Sequence, residues 1–338
     1  MKNKESRFTE NDIRPKKLGI GQYVAFLSDV VLMVKEKESF VMMQCPACGA
    51  DKYIKKFLKH TLQYGECAVC STLYMNPRPT SEILENFYKN SHSYAYWNTH
   101  VFPSSEEVRR KKIFVPRVDR IIELCKKHKI RTSSILEVGA GFGTFCEEIK
   151  SRKVFSRVVA IEPSPKLAET LRGKGIETMS SLVEEALFEK SDKFDVIVSF
   201  EVIEHLFDPK KFVASCQKLL TPGGLLVITC PNGKGFDFLV LGKECNSIDH
   251  EHLNYFNTES LPILIERCGL TVLEAITPGR LDADLVRAKI LEGGYDLIGD
   301  LFLKEVLVNR WEDLGEKFQD FISMNGLSSS MWIVARKK

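Results

Sequence analysis

The stretch that decides the fold is ILEVGAGFGTFCEEI, which runs from Ile135 to Ile149. It begins with apolar residues typical of a buried strand, continues through three alternating glycines and ends in a helical pattern. Glycine lets the backbone adopt left-handed conformations and approach a bound molecule closely. The stretch therefore predicts a strand, a tight turn and the start of a helix at which a ligand binds.

A carboxylate after the next predicted strand indicates the class of ligand. The run VVAI ends at Glu162, roughly twenty residues beyond the turn, where a carboxylate can bind both hydroxyls of a ribose. A dinucleotide site would require G-x-G-x-x-G, but Thr144 stands at the last glycine position. The acidic Glu137 would repel a pyrophosphate and suits a cationic cofactor. We therefore expect S-adenosylmethionine (SAM) rather than a dinucleotide.

Later segments resemble, in order, the remaining strands of the class I SAM-dependent methyltransferases. The segments are KFDVIVSFEVIEHL (193–206), LTPGGLLVITCPN (219–232), GLTVLEAI (269–276) and MWIVARKK (331–338). This resemblance implies methyltransferase activity and an α/β, Rossmann-like fold with a seven-stranded, mostly parallel sheet and an antiparallel edge strand. The alternation of Val- and Ile-rich runs with helical patterns independently favours a parallel sheet covered on both faces.

The same resemblance assigns the cofactor-binding residues, which follow the first four strands of the predicted sheet. Those expected beside the methionine part are Glu137, Gly139, Gly141, Phe200 and Glu201. Glu162 is expected at the ribose, and Ser181 with Leu182, after the predicted third strand, at the adenine.

Four cysteines in the N-terminal part have the spacing of a metal site. Cys45 and Cys48 form one C-x2-C pair, Cys67 and Cys70 form another, and the gap between the pairs fits a small hairpin. Two such pairs predict a tetrahedral, structural Zn²⁺ site with no open coordination position. Disulfides fit poorly with a chain that shows no leader and is expected to be cytoplasmic.

The string DHEHLNYF, from Asp249 to Phe256, carries the sharpest indication of the acceptor. It resembles the His-Glu-His-x-x-Tyr-Phe stretch of bacterial deoxysugar C-methyltransferases, which also carry an N-terminal four-cysteine module. The resemblance implies that Glu251 and His252 form an acid/base pair with His250 and Tyr255 nearby. Two departures, Asp249 in place of a tyrosine and no large additional C-terminal domain, favour O-methylation of a sugar hydroxyl over C-methylation.

Other readings of these histidines remain open. Asp249, His250 and His252 have residue types that can bind Mg²⁺ and orient a diol. Loop hydrogen bonding without catalysis is a further alternative. His205, within EVIEHL, is a second catalytic candidate, although we expect it to support the cofactor loop.

The chain divides, by these patterns, into three parts. We expect an N-terminal extension with the zinc module in residues 1–78, a helical, aromatic linker in 79–131 and the methyltransferase domain in 132–338. Helices are predicted from Thr80 or Ser81 and after Ser105, with a break or kink at Pro116. Aromatic residues of the linker are either a lid over the cofactor or simple packing on the core; the lid candidates are Tyr88, Tyr94, Tyr96 and Trp97.

The distribution of charged residues along the chain helps to choose between the candidate methyl acceptors. Residues 1–131 contain 24 Lys and Arg against 14 Asp and Glu, whereas the whole chain has a net charge of +3 and a pI near 8.2. This moderate charge favours an anionic small molecule, such as a nucleotide-linked sugar, over RNA, which is the main alternative. A SAM-binding protein without catalysis is a third hypothesis. No apolar run was expected to reach the ~20 residues that span a bilayer, so no membrane partner was predicted.

The segment between the last two predicted strands is longer than a simple connection. We expect it to form part of a substrate wall. Arg280 and Arg287 within it could bind a phosphate or form surface salt bridges.

Overall fold

A computed structural model describes residues 10–13, 15–189 and 192–338. The strands form two sheets. In chain order they are β1 (Tyr53–Lys59), β2 (Leu62–Cys67), β3 (Leu73–Met75), β4 (Ser134–Val138), β5 (Arg157–Ile161), β6 (Glu177–Met179), β7 (Phe194–Phe200), β8 (Leu220–Pro231), β9 (Asn254–Tyr255), β10 (Leu270–Ile276) and β11 (Ser330–Lys337).

Helices cover both faces of the larger sheet and make up most of the N-terminal third. The α-helices are α1 (Glu10–Ile13), α2 (Gly19–Val34), α3 (Ser81–Asn90), α4 (His92–Tyr96), α5 (Phe102–Arg109), α6 (Val115–His128), α7 (Thr144–Ser151), α8 (Pro165–Gly173), α9 (Pro209–Leu219), α10 (Phe236–Leu241), α11 (Ser260–Arg267), α12 (Asp282–Leu291), α13 (Leu301–Lys304) and α14 (Trp311–Met324).

The larger sheet has seven strands in the order β6-β5-β4-β7-β8-β11-β10. Neighbouring strands from β6 to β8 are parallel, and β11 is antiparallel to both β8 and β10. Every residue of β4 and β7 is buried, because helices cover both faces. This arrangement confirms the predicted fold. The carboxyl ends of β4, β5 and β7 meet at one edge, where open α/β sheets bind ligands.

The smaller sheet joins the cysteine module to the catalytic part. Strands β1, β2 and β3 form an antiparallel meander, and β9 pairs with β3 through Leu73 opposite Tyr255 and Tyr74 opposite Asn254. The buried Arg78 adds to the junction, since it donates to the carbonyls of Phe207 and Leu253 at 3.2 and 3.4 Å. The DHEHLNYF string therefore supplies the last strand of the cysteine module, across the boundary expected at residue 78.

The linker is helical, but its breaks differ from the prediction. Helix α3 begins after Thr80, whose Oγ1 accepts a hydrogen bond from the Ile83 N–H. The helix expected after Ser105 is instead continuous from His92 to His128, with π-helical segments at 97–101 and 110–114. Pro116 lies just after the second π-helical segment and does not end the helix. A proline cannot donate to the carbonyl four residues before it, and here that carbonyl, of Lys112, accepts from Arg280 instead.

Helix α2 corrects the expectation about apolar runs. Lys16–Val34 forms a helix of 19 residues with a mean hydropathy of 1.4, which is long and apolar enough to cross a membrane. Only 17% of this stretch is buried. Core helices and signal sequences share such length and composition, so neither property alone identifies the surroundings of the helix.

Helices α12 to α14 form the long connection between β10 and β11. Arg280 and Arg287 of this connection both donate to backbone carbonyls, Arg280 to Lys112 and Arg287 to Leu307. The Arg287 guanidinium also lies 5.0 Å from the ring of Trp311. The structure thus gives Arg287 a packing role within this connection.

Candidate active site

The glycine turn after β4 has the conformation that its sequence requires. Gly139 and Gly141 have φ angles of 79° and 54°, in the left-handed region that favours glycine. A Cβ atom on Gly139 would lie 2.5 Å from Val202 Cγ2, whereas one on Gly141 would enter open space. This open space leaves room for a bound molecule to approach the backbone of Gly141.

Glu162 follows β5 and turns its carboxylate toward this turn. One oxygen accepts from the Gly141 N–H at 2.8 Å, and the other accepts from the Ser164 N–H at 2.9 Å. Burial raises the pKa of Glu162, and the two backbone N–H groups partly oppose this rise. The carboxylate is therefore held in one orientation at the edge of the sheet, where the ribose of the cofactor was expected.

We expect Glu162→Ala to weaken SAM binding by about 10- to 100-fold, because two charge-assisted hydrogen bonds to the ribose are lost. Isothermal titration calorimetry measures the change. Glu169→Ala, an exposed residue on α8, is the matched control. Unchanged affinity in the Glu162 variant would contradict the assigned role.

Glu137 is buried at the end of β4. The Cys146 thiol donates to its Oε2 at 3.0 Å. Burial raises the pKa of Glu137 to about 8, and the nearby Arg117 guanidinium and the thiol act in the opposite direction. The side chain is mostly protonated at neutral pH in this state, and a cation placed beside it would favour ionisation.

Arg117 is a site residue that the sequence analysis missed. Its Nη2 donates to Glu201 Oε1 at 3.1 Å, and its guanidinium lies 4.6 Å from the centre of the Phe200 ring. Glu201 itself has a φ of 57°, a strained conformation for a residue with a side chain, and accepts from Thr229 Oγ1 at 2.6 Å. Arg117 comes from the linker helix α6, so only the docking of that helix reveals it.

Ser181 and Leu182 lie beyond β6, as the adenine assignment requires. The Ser181 hydroxyl is buried and has no hydrogen-bond partner among the described residues. Leu182 is 46% exposed. A buried hydroxyl beside an exposed apolar side chain suits the edge and the face of a planar base.

His252 is held by its own loop in one orientation. Its Nδ1 lies 2.9 Å from the Ser247 carbonyl oxygen and 3.4 Å from Asp249 Oδ2. A carbonyl oxygen only accepts, so Nδ1 carries the proton when the ring is neutral. The lone pair is then on Nε2, which is the arrangement of a general base oriented by a carboxylate.

Asp249 organises this loop. Its Oδ1 accepts from the N–H groups of Glu251 and His252, both at 2.9 Å. Burial alone would raise the pKa of Asp249, but His252, His250 and these N–H groups lower it overall. Tyr255 is fully buried, and its hydroxyl accepts from the Asp249 N–H at 3.1 Å. Tyr255 therefore supports the loop from behind.

His205 and Glu204 lie directly against His252. The ring centres of His205 and His252 are 4.6 Å apart. One nitrogen of each histidine and one carboxylate oxygen of Glu204 lie within 4.8 Å of one another. Burial lowers the pKa of His205 to about 3, so its ring is neutral at pH 7, and burial raises the pKa of Glu204. Glu204 Oε2 and His205 Nδ1 have no partner among the described residues.

Glu251 and His250 belong to a second cluster with Asp29 of helix α2. Glu251 Oε1 lies 3.8 Å from His250 Nε2. Burial and the carboxylates of Asp249 and Asp29 raise the pKa of Glu251. His250 is fully buried between the rings of Phe26 and Phe87. The expected pair of Glu251 and His252 is thus divided between two clusters, and so are His250 and His252, the ligands of the alternative metal site.

The aromatic linker covers both halves of this region. Tyr88 contacts His205, with ring centres 6.3 Å apart. Burial raises the pKa of Tyr94, and the carboxylates of Glu251, Glu162 and Glu204 raise this pKa further. Phe102 packs at 4.8 Å on Phe142 of the glycine turn.

The other two lid candidates contact the N-terminal part or the linker itself. The Tyr96 hydroxyl donates to the carbonyl of Leu18. The Trp97 ring packs on Phe102 at 5.3 Å. Of the four candidates, Tyr88 contacts His205 and Tyr94 packs on Tyr88, whereas Tyr96 and Trp97 pack away from His205.

The four N-terminal cysteines come together at one point. Cys45 and Cys70 have their sulfur atoms 3.4 Å apart, Cys48 and Cys67 have theirs 3.5 Å apart, and all four lie within 4.8 Å of one another. Tetrahedral zinc with Zn–S bonds of ~2.3 Å places sulfur atoms roughly 3.8 Å apart. Backbone turns of positive φ at Gly49 and Ser71 form the two knuckles. The donor set therefore fits a tetrahedral Zn²⁺ ion.

The fold and the site together define a class I SAM-dependent methyltransferase. The model of a protein family described as "Methyltransferase domain" matches residues 107–275, which are half of the 338 residues. The chain belongs to this methyltransferase family.

The chain is also similar to curated enzymes named ubiquinone biosynthesis O-methyltransferase. The relative from Bartonella quintana (strain Toulouse) is 25% identical over 178 residues, which cover 48% of this chain and 71% of the relative. The relative from Chelativorans sp. (strain BNC1) is 32% identical over 117 residues, 32% of this chain and 46% of the relative. The similarity thus covers only part of the length of these relatives.

A solved structure shows a similar topology. It is a putative sarcosine dimethylglycine methyltransferase from Galdieria sulphuraria, with 18% identity, a TM-score of 0.46 and coverage of 66% of this chain and 86% of that one. A likeness at this level carries no conclusion about the site.

Proposed function

We propose that the protein transfers a methyl group from SAM to a hydroxyl of a small molecule, with His252 as the general base. The observation that carries this proposal is the hydrogen bond between His252 Nδ1 and the Ser247 carbonyl, supported by Asp249. This contact leaves Nε2 free to accept the proton of the attacking hydroxyl. SAM supplies the electrophilic methyl group, and the protein residues align and deprotonate the acceptor.

For the cofactor we propose the residues that the resemblance to class I methyltransferases assigns. Glu162 binds the ribose hydroxyls, Gly139 and Gly141 allow close approach of the backbone, and Ser181 with Leu182 flanks the adenine. Glu137, together with Phe200 and Glu201, lies beside the methionine part. Arg117 holds Glu201 in place and faces the same end of the site.

For the acceptor we propose a sugar hydroxyl, most simply on a nucleotide-linked sugar. The DHEHLNYF string and the four-cysteine module support this class. The relatives' names instead point to ubiquinone biosynthesis, and that observation keeps a phenolic hydroxyl as the second candidate. Both acceptors lose a hydroxyl proton during methylation, so His252 has the same role in either reaction.

The basic residues of the N-terminal part provide little support for RNA as the acceptor. In the cysteine module, Lys56 pairs with Glu66 at 3.0 Å, and Lys59 donates to the Cys245 carbonyl at 2.8 Å. In the linker, Arg110 binds Glu147 and Glu148 of helix α7. These cations are used within the protein, which leaves less charge for a phosphate backbone.

We further propose that the four cysteines bind a structural Zn²⁺ ion. Four thiolates within 4.8 Å of one another repel strongly unless a cation neutralises them. Because the four ligands complete the tetrahedron, the ion has no open position for substrate. Its role is to stabilise the sheet that contains β9, and not to take part in methyl transfer.

The test of the proposed function is release of S-adenosylhomocysteine by the purified protein. The acceptors compared are a panel of nucleotide sugars, simple catechols and total RNA. Turnover on a nucleotide sugar, with the methyl group located on oxygen by NMR, is the expected result. Turnover on catechols alone would move the acceptor to the second candidate. Turnover on RNA alone would overturn the small-molecule assignment.

SAM binding is expected to release protons near pH 7. Glu137 is mostly protonated before binding because burial raises its pKa to about 8. The cationic methionine end favours the ionised carboxylate, so up to about one proton leaves on binding. Calorimetry in two buffers of different ionisation enthalpy measures this number. Glu137→Gln should remove the release, and an equal release in that variant would assign the proton to another group.

A further inference from the structure

The outward face of helix α2 is a stripe of exposed apolar side chains. Its members recur every three or four residues and therefore lie on one side of the helix. They are Ile20 (84% exposed), Tyr23 (62%), Val24 (58%), Leu27 (40%) and Val31 (67%). Asp29 is the one charged residue in α2, and it is buried. The solvent side of this helix therefore has no charge along its length.

The inward face of the same helix is committed to the fold. The carboxylate of Asp29 accepts hydrogen bonds from Ser91 Oγ and the N–H groups of His92 and Ser93, at 2.7 to 2.8 Å. Phe26 contacts the ring of His250. Removing α2 to span a bilayer would break these contacts and place a carboxylate in hydrocarbon, which is unfavourable. The structure therefore favours contact through the outward face alone.

Lysines lie at both ends of the stripe. Lys16 and Lys17 precede α2, and Lys35 and Lys37 follow it, where they alternate with Glu36 and Glu38. Lys16 lies 4.0 Å from Glu292 and Lys35 lies 3.9 Å from Glu36, and exposed pairs of this kind contribute little. An apolar helix face bounded by cations is typical of helices that lie in the interface of an anionic bilayer.

A groove beside the stripe adds apolar surface. It has a volume of about 370 Å³ and lies between α2 and the β1–β2 hairpin. Its walls are formed by Val30, Val31, Val34, Lys35, His60 and Thr61. Hydrocarbon can enter along the three valines while Lys35 meets a phosphate at the edge.

We propose that α2 docks this protein, parallel to the membrane plane, on the surface of a bilayer that contains anionic lipids. The stripe enters the boundary of the acyl chains, and the terminal lysines contact the headgroups. The face opposite the stripe carries Phe26 and Asp29, which contact His250 and the linker. The acceptor loop then lies about one helix diameter, ~10 Å, from the lipid. This inference is independent of the acceptor's identity.

Vesicle flotation of the full chain tests the proposal. The vesicles are phosphatidylcholine alone, or phosphatidylcholine with about one third phosphatidylglycerol. The test variant is Val24→Ser/Leu27→Ser/Val31→Ser. The control replaces three apolar residues elsewhere that are even more exposed, Leu187, Ile298 and Met324, by serine. SAM affinity and circular dichroism verify that both variants are folded.

We expect binding to the anionic vesicles that weakens with salt, and a loss of at least about tenfold in the α2 variant but not in the control. No binding to either vesicle, or equal loss in both variants, would overturn the proposal. A dimer in ultracentrifugation that disappears in the α2 variant, without vesicle binding, would show that a second copy covers the stripe. Resistance to carbonate extraction would show a spanning helix instead.

Discussion

His252→Ala should lower kcat by about 10²-fold or more and leave SAM affinity nearly unchanged. The expected loss follows from the position of the ring, since Nδ1 is used by Ser247 and Asp249 and only Nε2 can accept the acceptor's proton. The cofactor residues lie at the ends of β4 and β5 and do not depend on this side chain. Single-turnover kinetics with the acceptor and calorimetry with SAM separate the two effects.

Two further variants sharpen this test. Asp249→Asn keeps an oxygen that can accept from the Glu251 and His252 N–H groups, but it removes the carboxylate that lies 3.4 Å from His252 Nδ1. We expect a smaller loss of kcat, about tenfold, because the ring is less firmly oriented. His92→Ala is the matched control, because the His92 side chain is exposed and its contact with Asp29 uses the backbone. Normal turnover in His252→Ala would remove this residue from the mechanism.

We expect loss of the proposed zinc ion to abolish turnover, although its four cysteine ligands lie outside the proposed catalytic cluster. Cys70→Ala leaves three ligands, and removal of the site is expected to disorder β1–β3. Strand β9 then loses its partner β3, and the neighbouring loop with His252 loses its position. SAM binding should persist in part, because the glycine turn and Glu162 belong to the other sheet. Elemental analysis, hydrogen exchange at residues 253–256 and activity are the three measurements.

Cys268→Ala provides the control for this experiment. Cys268 is half-buried, and it is not part of the four-cysteine cluster. We expect one zinc per chain in the native protein and in this control, and a strongly reduced content in Cys70→Ala. Full activity and unchanged exchange at residues 253–256 in a zinc-free protein would contradict the coupling between the two sheets.

Local sequence accounts for much of the fold and for the cofactor half of the site. The glycine turn, the carboxylate after β5 and the two cysteine pairs depend on short-range backbone geometry or on ligand spacing. Each is therefore visible in a few consecutive residues. The strands of the larger sheet were predicted for a similar reason, because burial on both faces requires continuous apolar runs.

The arrangement of the residues proposed to bind the methyl acceptor could not be predicted in the same way, because it depends on contacts between distant segments. His252 and Glu251 are neighbours in sequence, but the Asp249 side chain binds both of their N–H groups and forms a turn. This turn directs His252 toward His205 and leaves Glu251 beside His250 and Asp29. Arg117, on the linker helix α6, was also missed because its contacts are with residues distant in the sequence. Its role requires the docking of α6 on Phe200 and Glu201.

By itself the sequence determined the class of fold, the position of the cofactor turn and the set of cysteines that can bind a metal. The tertiary structure decided which side chains share a pocket, that β9 completes the cysteine module, and which face of α2 meets solvent. The physical reason is that hydrophobic periodicity and ligand spacing are local properties. Pockets, shared sheets and exposed faces arise only when segments far apart in the chain exclude water from one another.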